Sequence, residues 1–406
     1  MKPSIKQLSL LVFLLLFIQI LNAQKISVNE YAAIDAKALQ IPDSLTATTA
    51  GIAGYINSNF ATDKEKARAA FIWVASNIQY DIDNMFALNF YEAAEEKIDK
   101  PLKTRKGICE NYAALFNDIC AKCNIKSFMV PGYTKQNGFT DYIPHVWCAA
   151  YIDTAWFLFD PTWGSGYIMN SKFYKRIDNK YFEADPSFLI KTHIPFDYLW
   201  QCLNYPVSNQ EFYEGKTTQN TTRAFFNYAD SIALFEQQNH IEQLTAEARR
   251  IEKNGVKNSM IFDRLRHIKL DIENDKIDKE NKRQAMLATL YNDAVAYFNG
   301  AVKDFNGFIE YRNKQFKPEK TDEEIQGMID STNADILKAK NNIKQISNPD
   351  PAMDKFLSQL LPLIVDLDNR LNEQQDWLNL YFSKSKAKRK SMFYEKKLSW
   401  FGIPLN

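Results

Sequence analysis

Apolar positions first recur at helical spacing behind the segment Thr62-Asp63-Lys64-Glu65. There the threonine hydroxyl can accept from the amide three residues on while the glutamate reaches back, which marks a helix start. Ala67, Ala70, Phe71, Val74 and Ile78 follow on one face and predict a helix with a buried stripe. Trp73 and Tyr80 flank the stripe, either as packing residues or as aromatics beside a site. Residues 24–60 read as a short helix or extended lead-in with a turn at Ile41-Pro42-Asp43-Ser44, and the more charged residues 81–105 read as irregular. A second helical stripe, Tyr112, Leu115, Phe116, Ile119, Cys120 and Cys123, begins shortly after Gly107.

The period then drops to two. Ile125 to Val130 reads as a short strand closed by Pro131-Gly132 and followed by a polar loop. From His145 to Ile152, alternation sets His145, Trp147, Ala149 and Tyr151 on one face and Val146, Cys148, Ala150 and Ile152 on the other. Asp153-Thr154 supplies a hairpin turn, and Ala155 to Asp160 forms the returning strand, with Trp156, Leu158 and Asp160 on one face. His145 and Asp160 lie at nearly equal distances from that turn, so an antiparallel hairpin predicts them as cross-strand neighbours.

From about Thr217 the helical period returns and Glu, Lys, Asn and Gln become more frequent. Leu287, Tyr291, Ala294, Phe298, Ala301, Phe305 and Phe308 step by four and three, as in a heptad seam. Ile325, Ile329, Thr332, Ile336, Ala339, Ile343 and Ile346 form another seam behind the capping box Thr321-Asp322-Glu323-Glu324. After Ser347-Asn348-Pro349-Asp350-Pro351, a helix from Met353 to Phe382 is expected, kinked or interrupted at Pro362. Short seams with brief connections predict an antiparallel helical bundle.

Composition narrows the reading. A chain of 406 residues has room for two or three domains at roughly 150 residues each. With 46% hydrophobic and 14% aromatic residues it should form packed cores. Lys+Arg 50 against Asp+Glu 49 leaves no global field to draw it onto nucleic acid. Lys2 and Lys6 precede the apolar run Leu8 to Leu21, and Asn22-Ala23-Gln24 offers a cleavage point, so residues 1–23 read as a signal peptide rather than a retained anchor. Export follows, to a periplasmic, cell-surface or secreted location. Five cysteines (Cys109, Cys120, Cys123, Cys148 and Cys202) are too few and too scattered for a disulfide scaffold. Cys120 and Cys123 fall at the end of a helix, where they read as buried small hydrophobes rather than a redox pair. His145, His193, His240 and His267 lack zinc spacing, and no metal or other cofactor is implied.

The remaining chemistry lies in Lys106-Gly107-Ile108-Cys109-Glu110-Asn111-Tyr112-Ala113. Cys109 stands at a helix start, where unpaired amides and the helix dipole favour a thiolate. A nucleophilic thiol needs a base and a group to orient that base, and His145 with Asp160 supplies both at hairpin spacing. His193 is a competing base, but it has no acid at such spacing and reads as a packing residue.

Several stretches resemble the transglutaminase-like superfamily. They are Trp73 to Asp81, Gly107-Ile108-Cys109-Glu110-Asn111-Tyr112-Ala113, Gly132-Tyr133-Thr134-Lys135, Pro144-His145-Val146-Trp147 and Trp156 to Trp163. Phe188 to His193 and Leu199-Trp200-Gln201 look like its kyphoscoliosis-peptidase branch. The resemblance implies an α+β fold with a papain-like core, in which the cysteine-bearing helix packs on an antiparallel sheet, followed by an all-α bundle. With the leader pattern and the composition shift, the chain divides into a signal peptide (1–23), a transglutaminase-like domain (24–215) and a helical region (216–406). It implies Cys109 as nucleophile, His145 as base and Asp160 as its orienter, acting on a protein or peptide substrate. Water as acyl acceptor would make a peptidase or amidase, and a lysine amine would make a crosslinking transglutaminase; a binding module that kept the fold is a third reading. The Cys109 amide is one candidate oxyanion donor; the second is left unassigned, with a side chain such as Gln79 or Tyr80 among the candidates. The helical region reads as a brace for the core or as an arm toward a partner protein or the cell envelope. Its basic run, Lys384 to Lys397, suits an anionic surface or a solvated helix end.

Overall fold

The computed structural model describes residues 30–89 and 92–394, so the leader expected over 1–23 lies outside the described residues. The lead-in folds as two helices, α1 (Ala32–Ala38) and α2 (Thr49–Asn59), separated by a 3-10 turn at Asp43–Leu45. Helix α3 (Asp63–Asn77) starts at the expected capping box, with Thr62 accepting from the Glu65 amide and Glu65 accepting from the Thr62 amide. Every residue from Ala67 to Ala75 is buried, so α3 is a central helix and not a surface one. Its one charged buried member, Arg68, is held by Asp35 through two hydrogen bonds of 2.7 and 2.8 Å and lies over the rings of Tyr31 and Phe182.

Strand β1 (Gln79–Tyr80) follows. Residues 81–105 are less irregular than their charge suggests, because they contain helix α4 (Ala94–Thr104). Its buried side is Lys97, Pro101 and Leu102. A lysine and a proline are unusual on a buried stripe, which is why the apolar period did not show it. Strand β2 (Lys106–Gly107) pairs in parallel with β1 and leads into helix α5 (Cys109–Lys122).

The sheet follows in β3 (Ser127–Gln136), β4 (Phe139–Ile152), β5 (Ala155–Phe159), the hairpin β6 (Gly166–Met169) and β7 (Lys172–Lys175), the short helix α6 (Pro186–Leu189) and β8 (His193–Pro195). Four of these strands form one antiparallel sheet in the order β5-β4-β3-β8. Strand β3 does not end at Pro131-Gly132: it runs on to Gln136, and the expected polar loop is the outer arm of the β3–β4 hairpin. The strand continues because Pro131 and Gly132 pair with Val146 and His145 on one side, while Gly132 also meets Pro195 of β8 on the other. A Cβ at position 132 would come within 2.3 Å of the Ile194 carbonyl oxygen and 2.5 Å of the Trp147 ring. Alternation along β4 holds: Val146, Cys148, Ala150 and Ile152 enter a core with α3 and α5, while Trp147 and Ala149 face Leu189, Leu199 and Trp200.

Beyond a 3-10 turn at Tyr198–Gln201 the chain is helical: α7 (Asn209–Glu214), α8 (Tyr228–Gln237), α9 (His240–Asn254), α10 (Ser259–Asn313), α11 (Asp322–Gln345), α12 (Pro351–Ser383) and α13 (Lys386–Arg389). The chain divides into two compact units, one up to Ile272 and the other from Glu273. The shift in composition near residue 216 therefore marks the first helices of the C-terminal half, while residues 216–272 pack with the sheet. Arg250 of α9 makes two 2.7 Å bonds to Asp197, and Leu244, Ile251, Ile261 and Leu265 share a core with Tyr133, Ile194 and Phe196.

The second unit has its own core, in which the predicted seam residues Ala294, Ala301, Phe305, Phe308, Ile325, Ile329, Ile336 and Ala339 meet Leu360, Ile364, Leu367 and Leu371. Helix α12 runs through Pro362 uninterrupted. Pro362 and Ser358 are both exposed, so the carbonyl that loses its donor faces water. No helix among the described residues is long and apolar enough to cross a membrane.

The close contact at Gly132 predicts that Gly132→Ala forces β3 and β8 apart. Urea unfolding should show a loss of about 1–3 kcal/mol, the usual range for overpacking, and an unchanged midpoint would refute the contact.

Candidate active site

Cys109 is placed by several independent contacts. The Ile108 amide donates to Asn111 Oδ1 at 2.9 Å, and Asn111 Nδ2 donates to the Lys97 carbonyl at 3.0 Å. This pins the first turn of α5 to α4. Gly107 has to be small, because a Cβ there would meet Asn111 Cβ at 2.7 Å. Beside the cysteine, Glu110 is buried, accepts from the Asn89 amide at 3.0 Å and pairs with Lys97 at 3.4 Å. The β1–β2 pairing sets Tyr80 opposite Gly107, which brings its ring to the cavity that Cys109 lines. Gln79 is exposed and is not among the lining residues. Trp73, the other aromatic flanking that helix, is a core residue.

His145 and Asp160 meet, with His145 Nε2 lying 2.8 Å from Asp160 Oδ2. They are not directly opposite. The β4–β5 ladder pairs Cys148 with Phe159, and one further step sets Asp160 opposite Trp147. The contact is therefore diagonal on a shared face, a separation that long side chains span. Asp160 ends the strand, and its Oδ1 accepts from the amides of Thr162 (2.8 Å) and Trp163 (3.0 Å) in the Asp-Pro-Thr-Trp turn.

His193 is not simply a packing residue. Its Nε2 lies 3.0 Å from the same Asp160 Oδ2, and its Nδ1 lies 2.8 Å from the Thr192 hydroxyl. Hairpin spacing could not reveal this contact, because His193 arrives on β8, across β3 from β4. The only local sign was the Thr192-His193 pair within a stretch resembling the kyphoscoliosis-peptidase branch.

The carboxylate and the two imidazoles hold different charges. Burial favours neutral Asp160, but the charge and hydrogen bond of His145, with the bond from His193, hold its pKa well below the usual carboxylate range. Burial also opposes a charged His145, but Asp160 outweighs it and, with the Cys109 side chain, raises the imidazole to about 10. His193 moves the other way: burial lowers its pKa despite Asp160, and the charge on His145 lowers it further. At neutral pH the group is thus an Asp160 carboxylate, a protonated His145 and a neutral His193. Tyr80, raised by burial and then by Cys109, keeps its phenolic proton and can donate it.

Cys109, His145, Thr162, Trp163, Tyr80 and Tyr181 line one cavity of about 590 Å³. The apolar and aromatic residues Met85, Ile143, Tyr167, Ile168 and Phe173 line the same cavity, together with Asp141, Arg176 and Lys180. Among the described residues, His145, Asp160 and His193 are also the group whose ligand atoms come close enough to hold a metal ion, all within 4.8 Å of one another. Both histidines address the same carboxylate oxygen at hydrogen-bond distance, and Thr192 occupies the other nitrogen of His193. This is the pattern of a proton-holding network. Cys120 and Cys148, buried in the core, have their thiol pKa values pushed well up by desolvation.

A family model described as the transglutaminase-like superfamily matches residues 50–161. Human kyphoscoliosis peptidase is 36% identical over 165 residues, covering 37% of this chain and 24% of that protein. The mouse kyphoscoliosis peptidase matches at the same identity and coverage. Hillarin of Drosophila melanogaster is 24% identical over 205 residues, covering 45% of this chain and 24% of its own length. The chain thus spans about a quarter of the length of these relatives. A solved structure titled as that of a TGase aligns over 41% of both chains at 18% identity, with a TM-score of 0.22, too slight a likeness to bear on the fold. The domain that carries Cys109, His145 and Asp160 belongs to the transglutaminase-like superfamily, in the branch of the kyphoscoliosis peptidases.

Proposed function

We propose that this protein is a cysteine acyl-transfer enzyme, specifically a peptidase or amidase, acting on protein or peptide substrates through Cys109, His145 and Asp160. One observation carries the reading: His145 is held through Nε2 by a buried carboxylate at the cavity that Cys109 lines. With Nε2 committed to Asp160, Nδ1 is the ring nitrogen left for the thiol.

In the proposed reaction the proton of the Cys109 thiol already resides on His145 Nδ1, so the sulfur attacks an amide carbonyl as a thiolate paired with the imidazolium. The tetrahedral intermediate collapses by breaking the C–N bond, and the imidazolium gives its proton to the departing amine. Water then attacks the thioester, losing a proton to His145, and collapse releases the acid and restores the thiolate–imidazolium pair. The Cys109 amide, in the first turn of α5, is one donor for the oxyanion, and the Tyr80 hydroxyl is the side-chain donor favoured over Gln79 by its place on the cavity wall. Asp160 keeps the imidazole in one tautomer and orientation, as carboxylates do in comparable triads. The name of the kyphoscoliosis peptidases favours hydrolysis over crosslinking. Export through residues 1–23 belongs to the same proposal and rests on the leader pattern of Lys2, Lys6 and the apolar run.

Iodoacetamide modification of Cys109, followed by mass spectrometry, is the direct test. At pH 6 wild-type Cys109 should react at least about tenfold faster than in His145→Ala, since an ordinary thiol of pKa about 8.5 is largely protonated there; equal rates would sink the enzyme reading. With casein and a fluorescent primary amine as probes, new peptide termini without amine incorporation are expected, and the new termini should vanish in Cys109→Ala. Amine incorporation without cleavage would make the protein a crosslinker instead. N-terminal sequencing of the protein recovered outside the inner membrane should begin at Gln24, whereas an intact Met1 would remove the export proposal.

A further inference from the structure

His193 takes no part in the reaction proposed above, yet it is buried against the centre of the site. We infer that His193 is a positioning residue: its Nε2–H donates to Asp160 Oδ2, the oxygen that also holds His145, and so locks the carboxylate that orients the catalytic imidazole. This role rests on the proposed reaction.

The geometry leaves the carboxylate no freedom. Oδ2 accepts from two imidazoles at 2.8 and 3.0 Å, and Oδ1 accepts from two backbone amides at 2.8 and 3.0 Å. Rotation of the carboxylate would break four bonds at once. The tautomer of His193 is set by the carboxylate, which can only accept and so requires the proton on Nε2; Nδ1 is then an acceptor, to which the Thr192 hydroxyl 2.8 Å away can donate. Its ring is enclosed by Trp163, Trp147 and Tyr181, with centroids at 4.4, 5.3 and 6.0 Å. At 1% exposure it has no route to substrate, so it acts through Asp160.

Two imidazoles on one oxygen also have to share charge. Burial and the charge of His145 lower the pKa of His193, so the proton resides on the ring next to Cys109. The other titratable groups that feel this cluster are Asp141 from β4, Cys148 from the opposite face of β4, Tyr80 from β1, Tyr181 from the segment after β7, and Cys109 from α5 toward His145. Removing the His193 donor should make Asp160 easier to protonate and withdraw support from His145 on the acid side.

The test is the rate of Cys109 alkylation by iodoacetamide between pH 4 and 9, measured on the full chain by mass spectrometry of the labelled peptide. In His193→Ala the acid limb should move up by about one pH unit, a tenfold change in an ionisation constant. His193→Gln places an amide donor near the lost Nε2–H and should restore most of the wild-type limb. Thr192→Val leaves the ring in place but removes the hydroxyl that holds its Nδ1 side, and should give a smaller shift in the same direction. A histidine that only packs would change the melting temperature without moving the limb. A wild-type limb in folded His193→Ala, or a limb equally displaced in the glutamine variant, overturns the role. If His193→Ala does not fold, Thr192→Val decides, and an unchanged limb there also overturns it. Cys109 reacting as an ordinary thiol in wild type overturns the reaction and this role together; enhanced wild-type reactivity with unshifted variants overturns this role alone.

Discussion

The buried carboxylate of Asp160 is the constraint on which the site depends. Removing an ionised carboxylate from water costs several kcal/mol even after relaxation. Four donors offset that cost, and hydrogen bonds to a charged group contribute about 1.5–3 kcal/mol each. Two donors come from the turn that follows β5 and two from imidazoles on β4 and β8. No single element supplies enough of them. The strand end, the turn and the third-strand neighbour must therefore be in place together before the acid can stay charged.

This requirement extends into the sheet. Strand β8 reaches Asp160 only because it pairs closely with β3 at Gly132, where a side chain would strike the Ile194 carbonyl and the Trp147 ring. Cys109 depends on a separate set of constraints: the Gly107–Asn111 approach, the bond from Asn111 to Lys97, and the buried Lys97–Glu110 pair. The two sets meet at the cavity and in the core that α5 shares with β4. A thiol on a helix start and a histidine on a strand thus reach one cavity from two supports, which is the arrangement a preorganised site needs.

Where the sequence could be read, the reason was periodicity. The stripes of α3 and α5, the alternation of β4 and the seams of the second unit each bury one kind of face, and hydrophobicity reports such faces directly. It failed where burial involves atypical residues. Lys97 and Pro101 concealed α4, and the Pro131-Gly132 pair looked like the end of β3 because these residues usually end strands. The boundary near residue 216 was a change in composition rather than in packing, and Arg250 with Leu244 and Ile251 tie the following helices to the sheet.

By itself the sequence determined the local pieces of the site: a cysteine in the first turn of a helix, a histidine on an alternating strand and an acid at the end of the returning one. Local dihedral preferences and a two-residue period suffice for that, since they act within one element or one hairpin. Hairpin spacing even brought His145 and Asp160 near each other, though one diagonal step from the observed register. Tertiary structure alone decided that His193 joins them, that one oxygen serves both rings, and that Tyr80 rather than Gln79 lines the cavity. The His193 contact links β8 to the end of β5, strands at opposite edges of the sheet and far apart in the chain, and the energy that selects it, the solvation of one buried carboxylate, has no periodic trace in sequence.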